Sequence, residues 1–78
     1  MNGGDAMGHS GFGPILRACR AAQGWTQREL AERAGVAVAT VQCYERGVRA
    51  PSLACAEQLA DALGVTLDQL AGRAPVQF

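Results

Sequence analysis

Glycines divide this chain into short segments, and no other feature of the sequence restricts the fold more. They stand at Gly24, Gly35, Gly47, Gly64 and Gly72, each after a stretch whose apolar residues recur at helical spacing. A glycine in this position commonly ends a helix, because it adopts the left-handed backbone without steric cost. No stretch alternates apolar and polar residues as a strand would. With such short connections, we expect an all-α, compact five-helix bundle.

Four of the five expected helices begin at a recognisable signal. Pro14 suits the first turn of a helix, where its missing N–H has no partner to lose. Thr26 with Glu29, and Thr66 with Gln69, have the spacing of capping boxes. The helices are expected at 14–23, after Thr26 up to Gly35, at about 37–46, from Pro51-Ser52 to Gly64, and from Thr66 through Ala71.

The core is expected to form from the apolar face of each helix. Trp25 and Val36 should fill gaps at helix junctions, although Trp25 has the alternative role of a platform for base stacking. The inward positions of the helices are predicted to be Leu16, Cys19, Ala22 or Gln23, Leu30, Ala31, Ala34, Val41, Tyr44, Leu53, Ala56, Leu59, Ala60 and Leu63.

The length of 78 residues predicts a single domain. We expect a flexible Gly-rich N-terminal tail at 1–12, the domain at 13–72 and a short C-terminal tail at 73–78. No apolar run approaches the roughly 18–20 residues of a membrane span, and no signal peptide is recognisable. These features predict a cytoplasmic protein.

The side chains that could carry chemistry are few. Cys19, Cys43 and Cys55 are an odd number without C-x-x-C spacing, so reduced thiols are expected, and a zinc site with His9 is not. Gly8-His9-Ser10-Gly11 resembles part of a nucleophile elbow, but Phe12 stands where that motif needs glycine. With a single histidine there is no acid–base pair. We therefore predict no catalytic residue, metal or cofactor.

Charge is distributed unevenly along a chain whose net charge is zero. Residues 13–51 hold six arginines against three glutamates, net +3, while residues 52–78 hold one arginine against three acids, net −2. A basic segment fits a nucleic-acid surface, because phosphate contacts supply much of the affinity. An ordinary mixed surface would show the same counts, so charge alone leaves both interpretations open.

Residues 26–46 follow the helix-turn-helix plan, with two short helices joined around Gly35 and Val36. The run TQRELAERAGVAVATVQCYERGVRAPS resembles the lambda-repressor-like (Cro/cI, XRE) helix-turn-helix DNA-binding family. The resemblance extends over roughly residues 12–72. Further positions that match the family are Phe12-Gly13, Leu16, Cys19, Arg20, Trp25, Leu59, Ala60, Leu63-Gly64-Val65 and Leu70.

The resemblance implies a sequence-specific transcriptional regulator, acting as a repressor or autoregulator. It would bind double-stranded DNA as a homodimer on a near-palindromic operator, with helix 37–46 in the major groove. Arg20 and Glu45 match the family's structural ion pair between the first helix and the recognition helix. A toxin or a polymerase subunit is a further partner of such proteins. The implied DNA contacts are Thr26, Gln27, Arg28, Val38, Ala39, Thr40, Gln42, Cys43, Arg46 and Arg49.

The expected recognition helix departs from the family in its polar content. Ala37 replaces the usual Ser or Thr cap, and only Thr40 and Gln42 offer donors and acceptors to bases. Readout through DNA shape, backbone contacts or the N-terminal arm is therefore one alternative. Another is a protein-interaction module or antitoxin-type partner that keeps the fold with weak DNA readout. Cys43 is either an oxidant sensor or simply a small side chain.

The C-terminal residues are the expected dimer interface. Val76 and Phe78 are apolar and lie beyond the last helix, where little core remains to be filled. We expect them to pack across the two-fold axis, with a frayed chain end as the alternative.

Overall fold

The computed structural model describes residues 11–76, and within that range all regular structure is helical. The expected all-α, five-helix fold is confirmed. None of the described helices is both long and apolar enough to cross a membrane. The helices are α1 Phe12–Gln23, α2 Gln27–Ala34, α3 Val38–Arg46, α4 Leu53–Leu63 and α5 Leu67–Leu70.

Local hydrogen bonds begin the helices where the sequence predicts. Thr26 Oγ1 accepts the backbone N–H of Glu29 at 3.0 Å, while Glu29 Oε1 accepts that of Thr26 at 2.7 Å. Thr66 and Gln69 form the same reciprocal pair. Both predicted capping boxes are therefore confirmed, and each satisfies two backbone donors at a helix start.

The first helix starts earlier than its sequence indicates. It begins at Phe12 rather than Pro14, so the proline lies at the third position of the first turn, where its missing N–H still costs nothing. The Phe12 ring is buried and packs edge-on against Tyr44 of α3, with ring centroids 5.8 Å apart. Phe12 therefore belongs to the packed domain rather than to a tail.

One predicted core position in α1, given as Ala22 or Gln23, and one in α4, Leu53, are wrong. Ala22 and Gln23 are exposed at the end of α1. Leu53 is 67% exposed, because it begins α4 beside an open groove lined by Phe12, Pro51 and Leu67. The remaining predicted positions are buried, and Leu70 joins them.

The core lies where α2 and α3 pack against each other and against α1 and α4. Leu16, Leu30, Val41, Leu59 and Leu70 are completely buried there. Trp25 and Val36 are half-buried and pack against this cluster. The Arg33 guanidinium lies over the Trp25 ring at 4.5 Å, so a cation–π contact already covers the indole.

The C-terminal segment folds back on the domain. Asp68 O accepts the backbone N–H groups of Arg73 and Ala74, and Gln69 Nε2 donates to Pro75 O at 2.9 Å. Val76 is half-buried against the core of its own chain. Little core was expected to remain for Val76, and the structure covers part of this side chain with its own domain. Phe78 lies outside the described residues, as do 1–10 with His9.

Candidate nucleic-acid interface

The turn between α2 and α3 is closed by backbone hydrogen bonds. Gly35 has φ +74°, which lets the chain reverse direction directly after α2. Val36 N–H then donates to Ala31 O at 3.0 Å, and the Val36 side chain packs against the core below. This closure holds α3 at a defined angle to α2, as the helix-turn-helix plan requires.

The start of α3 lacks the side-chain cap that α2, α4 and α5 have. Ala37 occupies the N-cap with extended backbone, φ −73° and ψ 145°, and its side chain accepts no hydrogen bond. By contrast, Ser52 caps α4 by accepting the Cys55 backbone N–H at 3.1 Å. The departure noted in the sequence is therefore a missing hydrogen bond at the N-terminus of the candidate recognition helix.

Ala37→Ser is expected to raise the free energy of unfolding by about 1 kcal/mol, because the hydroxyl can accept a first-turn N–H from a backbone already in cap geometry. The matched control is Ser52→Ala, which should lower it by about the same amount. Urea denaturation followed by circular dichroism measures both. If Ser52→Ala destabilises and Ala37→Ser has no effect, the backbone at Ala37 does not admit a capping side chain.

The outer side of α3 carries residues at helical spacing. Val41, Tyr44 and Glu45 face the interior, so the positions between them point away from it. We call Ala39, Thr40, Gln42 and Cys43 the reading face, and Arg46 follows them in the last turn of the helix. Ala39, Gln42 and Arg46 are exposed, while Thr40 and Cys43 are half-buried.

Val38 is only partly directed outward. It is half-buried and packs against the core, so only part of its side chain is open to a partner. The reading face therefore begins effectively at Ala39.

One buried carboxylate connects three helices. Glu45 of α3 accepts hydrogen bonds from Arg20 of α1, Nε to Oε2 at 2.7 Å and Nη2 to Oε1 at 3.1 Å. Gln27 Nε2, at the start of α2, donates to the same Oε1 at 3.0 Å. A two-pronged arginine–carboxylate pair is among the stronger and more directional polar contacts in proteins. This network fixes the reading face relative to α1 and α2.

The ion pair between Arg20 and Glu45 is largely buried. The Glu45 side chain is 2% exposed and that of Arg20 is 17% exposed. Arg20 Nη1 also donates to Trp25 O at 2.8 Å. The hydrogen bond to Glu45 raises the pKa of Arg20 against the opposing effect of burial. Both charges are therefore compensated by fixed partners rather than by water.

The participation of Gln27 was not foreseen. The family resemblance assigns Gln27 to DNA, yet its amide nitrogen is committed to Glu45. This bond uses one of the two amide hydrogens, so the side chain keeps its second N–H and its carbonyl oxygen for another contact. The residue type alone does not tell whether this glutamine contacts DNA or binds within the protein, because that depends on Glu45, which is 18 residues away in the sequence.

Arginines around the two helices differ in their commitments. Arg20 is held by Glu45, and Arg33 lies over Trp25. Arg28 near the start of α2, Arg46 at the end of α3 and Arg49 beyond it are exposed. Thr26, the cap of α2, is exposed as well. The exposed arginines lie at element ends that flank the reading face along the chain, where they can meet phosphates.

The three thiols are free and occupy different environments. Burial raises the pKa of Cys19. Hydrogen bonding with Ser52, then with Tyr44, lowers the pKa of Cys55 in the first turn of α4. Sequence reasoning singled out Cys43 and gave Cys55 no separate role. Within residues 11–76 there is no cluster of three metal-ligating side chains.

A helix-turn-helix unit with an exposed outer helix and arginines at its ends defines a class of DNA-binding protein. The comparison with known families agrees: a family model described as helix-turn-helix matches residues 16–70. The chain belongs to the lambda-repressor-like (Cro/cI, XRE) helix-turn-helix family.

Particular relatives and one solved structure resemble this chain over most of its length. It is 38% identical over 60 residues to an uncharacterized HTH-type transcriptional regulator, YazB, of Bacillus subtilis (strain 168), covering 77% of this chain and 87% of YazB. It is 46% identical over 50 residues to an uncharacterized HTH-type transcriptional regulator of Methanothermobacter thermautotrophicus, covering 64% and 72%. The crystal structure of the restriction-modification controller protein C.AhdI from Aeromonas hydrophila superposes with a TM-score of 0.76 at 37% identity, covering 80% of this chain and 94% of that one.

Proposed function

We propose that this protein is a sequence-specific transcriptional regulator that binds a near-palindromic operator with α3 in the major groove. The observation that carries the proposal is the reading face, exposed on a helix whose position the Arg20–Glu45–Gln27 network holds. The relatives named as transcriptional regulators, and the controller protein of a restriction-modification system, support the same role. A repressor or autoregulator needs only to occupy DNA, which suits a domain of this size.

The phosphate contacts are assigned to the ends of the two helices. Arg46 and Arg49 are exposed in and after the last turn of α3, where they would hold one strand of the backbone. Arg28 and the N-terminus of α2, capped by Thr26, would hold a second phosphate through free first-turn amides and the helix dipole. Such contacts orient the reading face without themselves reading sequence.

We further propose that the protein acts as a homodimer. A single helix in the major groove contacts only a few base pairs, and two-fold pairing places two such helices about 34 Å apart on successive turns of DNA. Val76 is half-buried against its own core, and its exposed part would contribute to the interface together with other surfaces of the C-terminal half. Analytical ultracentrifugation with and without operator DNA tests the dimer; a protein that stays monomeric on DNA contradicts it.

The experiment that tests the proposed function is selection of bound sites from random duplex DNA by the full chain, followed by titration at several salt concentrations. We expect a defined motif with two-fold symmetry and an affinity that falls steeply with salt. Binding without sequence preference, or the absence of binding at low salt, would contradict the proposed function.

Arg49→Ala is expected to weaken binding to all sequences similarly and to reduce the slope of log affinity against log salt by about one unit, because one phosphate contact is lost. Arg73→Ala is the matched control: Arg73 is also exposed but pairs with Asp68 at the other end of the chain, so its slope should not change. A loss confined to one DNA sequence would show that Arg49 reads bases instead.

A second candidate function is a protein-interaction module or an antitoxin-type partner of a toxin or a polymerase subunit. The favouring observation is that Val48, within the α3–α4 connection, and Leu53, the first residue of α4, are 62% and 67% exposed. Binding of a partner protein in the absence of DNA supports this candidate, if that binding is lost in Val48→Ser or Leu53→Ser. Sequence-dependent DNA binding unaffected by these two changes supports the first.

A further inference from the structure

The reading face of α3 contains no side chain able to recognise guanine in the usual way. Guanine is most often read by an arginine or lysine that donates two hydrogen bonds to O6 and N7. Between Val38 and Glu45 there is no cation, and the first arginine, Arg46, comes in the last turn of the helix. In recognition helices the early residues contact base edges, so the cation is at the wrong end for base reading.

Readout of cytosine through its amino group is also disfavoured. That group is recognised by a carboxylate acceptor, and Glu45 is the only acid in α3. Its side chain is 2% exposed and its oxygens already accept from Arg20 and Gln27. Releasing Glu45 to a base would leave Arg20 uncompensated in a largely buried position. The carboxylate therefore belongs to the scaffold.

What remains on the reading face matches the chemistry of adenine–thymine pairs. Gln42 is exposed, and a glutamine amide can pair with adenine N6 and N7 through two hydrogen bonds. Ala39 is exposed and Thr40 half-exposed, and both present methyl groups of the kind that contact the thymine C5-methyl.

We propose, on the basis of the DNA-binding function proposed above, that α3 reads adenine–thymine pairs, with Gln42 on an adenine and the methyl group of Ala39 on a thymine C5-methyl. Specificity within each half-site then rests on one amide contact and on apolar methyl contacts. Arg46 and Arg49 contribute affinity through phosphates and leave base preference unchanged.

The test uses the site selected from random DNA with the full chain. Each thymine of the half-site is replaced in turn by deoxyuridine, which removes only the C5-methyl and keeps the base pair. At the thymine opposite Ala39 we expect a loss of affinity of about fourfold, the effect of one apolar methyl leaving water. In Ala39→Gly the same replacement should cause no further loss. Circular dichroism verifies that this variant is folded at the assay temperature.

Gln42→Ala tests the adenine contact in the same assay. We expect discrimination against a G·C pair at one position to fall about 5- to 150-fold, while the matched control Gln58→Ala, an exposed glutamine on α4, changes nothing. An unaltered selection profile for Gln42→Ala overturns the assignment of Gln42.

The outcomes separate this inference from the function on which it rests. A G·C-rich motif overturns direct A·T reading but leaves the sequence-specific regulator unaffected. An A·T-rich motif whose affinity is unchanged by every deoxyuridine replacement does the same, and it indicates readout of DNA shape. Absence of sequence-dependent binding overturns both. Two results together support the inference. Deoxyuridine at one thymine lowers the affinity of the unaltered protein but not that of Ala39→Gly, and Gln42→Ala discriminates less against a G·C pair.

Discussion

Glu45→Ala is expected to lower the free energy of unfolding by about 3 kcal/mol, the lower part of the range for breaking a buried ion pair. The lower part applies because Arg20 keeps 17% of its side-chain surface in water. The substitution removes the acceptor for Arg20 Nε, Arg20 Nη2 and Gln27 Nε2 together. For a domain of this size the melting temperature should fall by about 12–24 °C. Thermal and urea denaturation followed by circular dichroism measure the change.

Two further variants distinguish a buried network from an ordinary surface pair. Arg73→Ala removes the other ion pair in residues 11–76, whose partners are 70% and 65% exposed, and should cost less than about 1 kcal/mol. Arg20→Met combined with Glu45→Leu removes both charges and keeps apolar volume, so it should recover much of the stability lost in Glu45→Ala. If Glu45→Ala costs no more than Arg73→Ala, the carboxylate does not hold the three helices together.

Gly13→Ala is expected to destabilise the protein by about 1–3 kcal/mol, although helix propensity predicts the opposite sign. Gly13 is buried within α1, and its Cα faces the end of α3. An added Cβ would lie 2.9 Å from both Tyr44 O and Glu45 O. These are backbone atoms, so α1 and α3 would have to move apart. The same movement would strain the Phe12–Tyr44 contact and the Arg20–Glu45 pair.

The control for Gly13→Ala is Ala18→Gly on the exposed side of the same helix. That change should cost about 1 kcal/mol, the helix propensity difference between the two residues. Denaturation of both variants in urea gives the comparison. Should Gly13→Ala stabilise the protein by a similar amount, the close approach of α1 to α3 does not exist in solution.

Site prediction succeeded where a family resemblance supplied a long-range pairing. Arg20 and Glu45 are 25 residues apart, and no periodicity connects them. Their pairing was implied by matched family positions, and the structure brings the two side chains together. The resemblance placed Gln27 on DNA, and its bond to Glu45 emerged only from the packed helices.

The sequence alone determined the helices and their ends, except for the start of α1 at Phe12. Capping by Thr26 and Thr66, and termination at the glycines, depend on hydrogen bonds that close within a few residues, so local spacing predicts them. Only the tertiary structure decided which apolar residues are covered. Leu53 has the right helical spacing and remains exposed, Val76 follows the last helix and is half-buried, and Phe12 joins the core ahead of Pro14. Burial depends on elements that are distant in the chain, and local periodicity does not tell which residues those elements cover.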